Sequence, residues 1–548
     1  MRFFDWVVLL LSLGGVIFYG LWKARGSNTT DNYLRAGRTM PWYAMALSIM
    51  ATQASAITFI STTGQAYVDG MRFVQFYLGL PIAMVILSVT AVPVFHRANV
   101  YTAYEYLEQR FDSKVRLLVS ILFLIQRGLA VGLALSAPAI VLTVILGWSA
   151  EATTIVMGVT VVLYTALGGV KAITWTDFYQ MLIMMFGLAI ALATAVWMLP
   201  AHVGFLGALE VAGGAGKINP IVTAFSWNDR YNLWSGIFGG MFLALSYFGC
   251  DQSQVQRYLT GSSIAQSRLS LLFNGVAKLP MQFLILLTGC IVFAFFTYNQ
   301  PPLLFQKHAQ SQIEKAPEYP ELKARYDAAF AKRRAAAENI AQDKAAYQAA
   351  AAEFDGVRKQ GSQLAERVLG EKGFNDTNYI FLNFVTNYLP AGLVGLVIAA
   401  ILTAAMSTIS GEINSLATVS IIDVYRRYVN RNADDRHYLW AARVATTFWG
   451  IYAVVTAQFA RNMGSLVEAV NLLGSLFYGG ILGVFVLAMY TRRVGPWAAF
   501  IGVIAGETAI FALHFSGMTS FLWYNVIGCL VVIAVGLGLS FVEKKKPA

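Results

Sequence analysis

Two stretches put oxygen where an apolar chain should have none. Residues 403–422 read TAAMSTISGEINSLATVSII, and residues 48–64 read SIMATQASAITFISTTG, each inside a segment apolar enough to lie in lipid. Polar side chains and irregular backbone survive in hydrocarbon only where they line a cavity or are buried in protein. At helical spacing Thr403, Ser407, Ser410, Asn414 and Thr418 share one stripe, with Thr408, Glu412 and Ser415 beside it. Hydroxyls on such a stripe can serve simply as glue between helices. The small residues around Gln53, Ser55 and Thr58 also let a helix unwind and free its carbonyls. Carbonyls and hydroxyls together are hard oxygen ligands suited to an alkali cation, and broken helices that hold sodium beside a substrate recur in secondary transporters. Two cations, Arg127 and Lys278, fall inside apolar segments, where an ionisable group defaults to a functional hypothesis.

The elements that must carry these groups are membrane helices. Of 548 residues, 57% are hydrophobic and 13% charged, against about 25% charged in soluble proteins. Thirteen apolar segments lie near 5–22, 41–68, 73–96, 116–148, 152–170, 174–199, 233–255, 268–298, 388–424, 438–460, 466–490, 495–515 and 520–541, each long enough to be read as a span. The first lacks the basic flank and cleavage site of a signal peptide. Cys250, Cys290 and Cys529 fall inside apolar segments, which argues against disulfides and a transition-metal site. The net charge of +11 marks cytoplasmic loops rather than nucleic-acid binding. Alternate short loops are basic: Lys23, Arg25, Arg35 and Arg38; Arg97, Arg110, Lys114 and Arg116; Lys171; Arg257 and Arg268; Arg426, Arg427, Arg431 and Arg436; Arg492 and Arg493; Lys544 to Lys546. The other set carries only Arg72, Lys217, Arg230 and Arg461. This asymmetry puts the amino terminus outside and the carboxyl terminus in the cytoplasm. Residues 307–372 break the pattern, with 12 Lys/Arg and 10 Asp/Glu in an Ala-rich helical composition. They read as an outer helical hairpin broken by Gly356 and Gly361, a solvated appendage or an arm for an unknown partner.

Five motifs, SIMATQASAITFISTTGQAYVDG (48–70), LGGVKAITWTDFYQ (167–180), CDQSQVQRYLTG (250–261), AAMSTISGEINSLAT (404–418) and NLLGSLFYGGILGVF (471–485), in this order and spacing, resemble the sodium:solute symporter family over all but the 300–376 insert. The resemblance implies an all-α polytopic fold of about 13 helices with a LeuT-type core of two inverted five-helix repeats, spans two to eleven. The chain then divides into an extra amino-terminal helix and loop (1–40), the first repeat and start of the second (41–299), the insert (300–387), the rest of the second repeat (388–490) and the carboxyl-terminal helices with their basic tail (491–548). It also implies a main sodium site of the Ala51, Ala54 and Ala404 carbonyls with the Ser407 and Thr408 hydroxyls. A second sodium would use Asp177, Ser407 and Ser410, but the next expected hydroxyl position holds Gly411.

For the substrate, the resemblance sets Arg127 on a carboxylate, as in sialic acid carriers, while an ion pair with Glu412 or Glu468 is the structural alternative. Lys278 and Asn471 match positions near the sugar in sugar carriers, and Tyr247 an aromatic gate. Gln53, Ser55, Thr58, Gln75 and Tyr77 complete the candidates. The expected function is sodium-coupled import of a small polar organic solute across the inner membrane, carboxylate-bearing (an acidic sugar or a monocarboxylate) or a neutral sugar. The chain would be no enzyme and would need no cofactor beyond the coupling Na+. A rival of another class is a membrane sensor that kept the fold and lost transport.

Overall fold

The computed structural model describes residues 1–23, 29–459 and 465–542. Arg25, Arg461 and Lys544 to Lys546, part of the charge asymmetry, lie outside the described residues. Among those described there is no strand, only one isolated bridge between Met40 and Gly261. Among the described residues, nine helical runs are long and apolar enough to cross a membrane. Two of them, Ala56–Ala98 and Glu151–Trp197, each hold parts of two apolar segments. The seventh and tenth segments fall outside the nine: the seventh is broken into Gly240–Gly249 and Gln252–Leu259, and the tenth is the Asp435–Phe459 helix.

Sequence explains where helices stop. Within the second segment, Trp42–Gln53 ends and Ala56–Asp69 begins, with Ala54 and Ser55 in extended or irregular conformation between them. The run of small and hydroxyl residues there offers little side-chain packing to hold a continuous helix. The fifth and sixth segments join in one run, Ala150–Trp197, bent at Gly169, whose φ of 60° suits glycine alone. A Cβ at Gly169 would also strike Tyr33.

The Leu393–Val419 helix is the centre of the molecule. Every residue from Val397 to Val419 is buried, so it must satisfy its polar groups internally. It packs against Ser113–Leu146, Ala150–Trp197 and the first helix, Phe3–Lys23. Asp5 of that first helix accepts hydrogen bonds from the Gly392 N–H (2.6 Å) and the Gly395 N–H (3.3 Å), pinning the start of the central helix.

The insert folds differently from expectation. Lys344–Leu369 runs straight through Gly356 and Gly361, and the chain reverses at residues 339–343, where Asp343 caps the new helix through the Ala346 N–H (2.8 Å). Gly361 is there for packing, since a Cβ would meet the Leu303 side chain at 2.9 Å. Nor is the hairpin a loose appendage. It has its own core of Leu303, Tyr326, Phe330, Phe354 and Leu364. It is also docked: the buried Arg333 guanidinium donates to the Phe296 carbonyl (2.6 Å) and lies over the Phe354 ring, and Gln348 donates to the Gly214 carbonyl (2.9 Å). Replacing residues 307–372 by a Gly/Ser linker is therefore expected to lower the melting temperature, since Tyr67 and Phe296 lose their cover. Uptake in proteoliposomes should persist, because the insert supplies no residue to the cavity at the break between Trp42–Gln53 and Ala56–Asp69. Lost uptake in a folded deletion would contradict this.

Candidate functional site

A cavity of about 90 Å³ opens at the break of the second span. Its wall includes Thr52, Gln53, Ser55, Ile57 and Thr58 from that break, Phe76 and Tyr77, Gln126 and Arg127, Tyr247, Thr408 and Glu412, and Asn471 and Tyr478. Of the nine residues expected at the substrate, Gln53, Ser55, Thr58, Tyr77, Arg127, Tyr247 and Asn471 meet here. Gln75 and Lys278 do not line the cavity. Gln75 is spent on a loop: its amide donates to the Tyr231 carbonyl (2.9 Å) and accepts from the Val222 N–H (2.8 Å). Lys278 is wholly buried with no hydrogen-bond partner for its ammonium, 5.8 Å from the centre of the Tyr77 ring. A larger cleft of about 1140 Å³, lined by Leu133, Leu472, Leu476 and Phe521 among others, holds neither the helix break nor Arg127.

Arg127 is an ion-pair centre. Its Nη1 donates to Glu412 (2.7 Å) and its Nη2 to Asp251 and to the Tyr478 hydroxyl (2.5 Å). Tyr478 in turn donates to Asp251 (2.9 Å). The guanidinium lies 5.5 Å over the Tyr247 ring. The expected pairing with Glu412 is present, whereas Glu468 pairs instead with Arg230 (2.6 Å). What stays free is specific: Arg127 Nε and Glu412 Oε2 have no partner. Asp251 and Tyr478 were missed from sequence. Asp251 is the N-cap of Gln252–Leu259, its carboxylate accepting the Ser253 N–H (2.8 Å), and only the break in the seventh span brings it inward.

The hydroxyls of the central helix divide cleanly. Thr403, Ser410, Ser415 and Thr418 donate to carbonyls of their own helix, at 3.0, 3.0, 2.8 and 2.8 Å. These bonds stay within the helix rather than gluing it to a neighbour, except that Thr418 also accepts from Gln256 (3.0 Å). Ser407 and Thr408 leave the helix. Ser407 donates to Asp177 (2.5 Å), and Thr408 donates to the Thr52 carbonyl (3.0 Å) at the break. Thr408 therefore stands against the backbone that includes Ala51 and Ala54, and Ala404 lies one turn before it, buried. Ser410, named with Asp177 for a second sodium, donates to the Ser407 carbonyl, and it is Ser48 that donates to Asp177 beside Ser407 (2.5 Å). A carbonyl at a broken helix end facing the Thr408 hydroxyl, with the Ser407 hydroxyl next to it in sequence held on Asp177, offers oxygen ligands of the kind a small hard cation takes.

Comparison with known proteins decides the family. A sequence profile of the sodium:solute symporter family matches residues 33–312 and 363–506. The chain belongs to this family. The symporter is 27% identical over 540 residues to the sodium/sialic acid symporter NanT of Aliivibrio fischeri, covering 97% of this chain and 92% of that one. It is 28% identical to the human sodium-coupled monocarboxylate transporter 1, covering 93% and 72%. It is 29% identical to the sodium-dependent multivitamin transporter of Oryctolagus cuniculus, covering 92% and 69%. Its fold is similar to a solved Na+-coupled sialic acid symporter in a substrate-bound outward-open state, with a TM-score of 0.78 at 24% identity over 99% of this chain and 98% of that one. The symporter is a polytopic membrane transporter, not an enzyme, and sodium is its coupling ion.

Proposed function

We propose that this symporter imports a small carboxylic acid, an acidic sugar or a monocarboxylate, with sodium. One observation carries the reading: the amino terminus of Ala56–Asp69 and Arg127, whose Nε has no hydrogen-bond partner, line one cavity. The first N–H groups of a helix lack intrahelical partners, and its macrodipole favours an anion there. Glu412 Oε2 and Asn471 offer acceptors for the rest of a polyhydroxylated solute, and the Tyr247 hydroxyl, which accepts from Gln254 (2.7 Å), offers its O–H as a donor. Relatives named for sialic acid and monocarboxylates agree with this class. A neutral sugar is the second reading, favoured because both Arg127 Nη atoms are already committed to Asp251 and Glu412.

In this reading Ala51, Ala54, Ala404, Ser407 and Thr408 hold the sodium. In the LeuT-type arrangement of about 13 helices the second and seventh spans are the first of each inverted five-helix repeat, and the presence of a break in both supports that arrangement. The amino terminus faces outward and the carboxyl terminus the cytoplasm, so the insert lies outside, where its hairpin could receive a partner. The test is uptake of an acid against its neutral amide or alcohol analogue in proteoliposomes under a sodium gradient. Preference for the acid is expected, and Ser55→Ala and Thr58→Ala should reduce it. Equal transport of acid and analogue would overturn the carboxylate and leave the neutral sugar. No sodium dependence would overturn symport.

A further inference from the structure

Arg257 lies beside the Asp177 carboxylate with its head unspent. The residue is 2% exposed on the short Gln252–Leu259 helix, and its Nη1 stands 3.6 Å from Asp177 Oδ2. Its Nε, Nη1 and Nη2 all lack hydrogen-bond partners. Around Asp177, Ser48 and Ser407 supply hydroxyls at 2.5 Å each. A fully buried carboxylate, two hydroxyls and a cation at ion-pair distance, without a direct hydrogen bond, describe a cation seat filled by a side chain. The room for that side chain comes from Gly411: a Cβ there would collide with Arg257 Nη2.

We propose that the Arg257 guanidinium acts as a tethered cation at Asp177, so that this chain carries one sodium and excludes a second. The inference rests on the sodium-symport reading and deepens it. A guanidinium keeps its charge in proteins, and a buried charge needs a counter-charge. Asp177 is the only carboxylate among the described residues that stands within ion-pair distance of Arg257. A sodium ion placed on the same carboxylate would put two positive charges about 4 Å apart against one negative charge. At an effective dielectric near 20 this lowers sodium affinity by roughly a thousandfold. Arg257 also ties the broken seventh span to the Ala150–Trp197 run that carries Asp177, so the tethered charge stays with the protein when the transported ion leaves.

The experiment counts radiosodium bound to the purified chain without substrate. Wild type should bind one equivalent. Arg257→Gln removes the charge and should raise this to two, and adding Asp177→Asn should return it to one. Gly411→Ser pushes the guanidinium aside and adds an oxygen, so it reaches the same end by another route should Arg257→Gln fail to fold. A gained equivalent in either folded variant supports the tethered cation. Two equivalents in wild type, or no gain in either variant, overturns it. No binding in wild type overturns the sodium-symport reading itself, a separate result.

Discussion

Arg127→Ala is expected to cost most of the folded protein. The substitution leaves Asp251 and Glu412 buried against each other with no cation, and removing one partner of a buried pair typically costs about 3–5 kcal/mol. Both carboxylates are at most 3% exposed, so water cannot compensate. The measurement is monodisperse yield and melting temperature in detergent. The triple variant Arg127→Ala, Asp251→Asn, Glu412→Gln removes the stranded charges and should recover much of the loss. If Arg127→Ala alone folded normally and lost only binding of an acid, the ion pairs would contribute little to stability and the guanidinium would act through the substrate alone. Arg127→Lys tests the geometry. Lysine keeps the charge but cannot reach Glu412 and Asp251 together as the planar fork does, so stability should fall between that of wild type and the alanine variant.

Thr408→Ala and Ser407→Ala should each weaken sodium activation of uptake. A lost buried polar contact costs on the order of 1–3 kcal/mol, or about 5- to 150-fold in the half-saturating sodium concentration. The two variants should differ in kind. Thr408 holds the Thr52 carbonyl at the helix break, so its loss should affect sodium with little change in melting temperature. Ser407 also donates to Asp177, so its loss should destabilise the protein as well. Thr403→Ala and Ser415→Ala, whose hydroxyls bond within their own helix, serve as controls that should leave sodium dependence unchanged. Wild-type sodium activation in both Ser407→Ala and Thr408→Ala would displace the ion from this site.

The helices and the break in the second span were legible because hydropathy and small polar residues report directly on what lipid and backbone allow. All seven cavity-lining candidates lie on spans: polarity within an apolar run pointed to Gln53, Ser55, Thr58 and Arg127, and the family resemblance added Tyr247 and Asn471. What escaped was the choice of partner. Arg127 had Glu412 and Glu468 as candidate carboxylates, and nothing in spacing revealed Asp251, because the seventh span had been read as continuous. Arg257 was counted among loop charges for the same reason: it follows an apolar segment, and only the fold turns its helix inward. Arg116 shares that history, since it is buried with Asp423 (2.5 Å) and Glu108 (2.6 Å) rather than spread on a cytoplasmic surface. Gln75 and Lys278 were singled out by polarity within apolar surroundings, but burial of a polar group does not say which side of a helix faces a cavity. The hairpin turn was misplaced because glycine inside a helix was taken as a breaker, whereas its cost of about 1 kcal/mol relative to alanine is offset at Gly361 by close packing on Leu303.

Thr408 and Glu412 stand one turn apart on a single rigid helix, and Thr52 and Ser55 flank a single break. All four line the same small cavity. An ion held at Thr408 and a solute held at Glu412 therefore act on the same two bodies of backbone. Thermodynamic linkage makes the exchange symmetric: whatever factor sodium contributes to solute affinity, the solute must contribute to sodium affinity. Titrating either one at fixed levels of the other should return a single number, and that number is the coupling strength of the transporter.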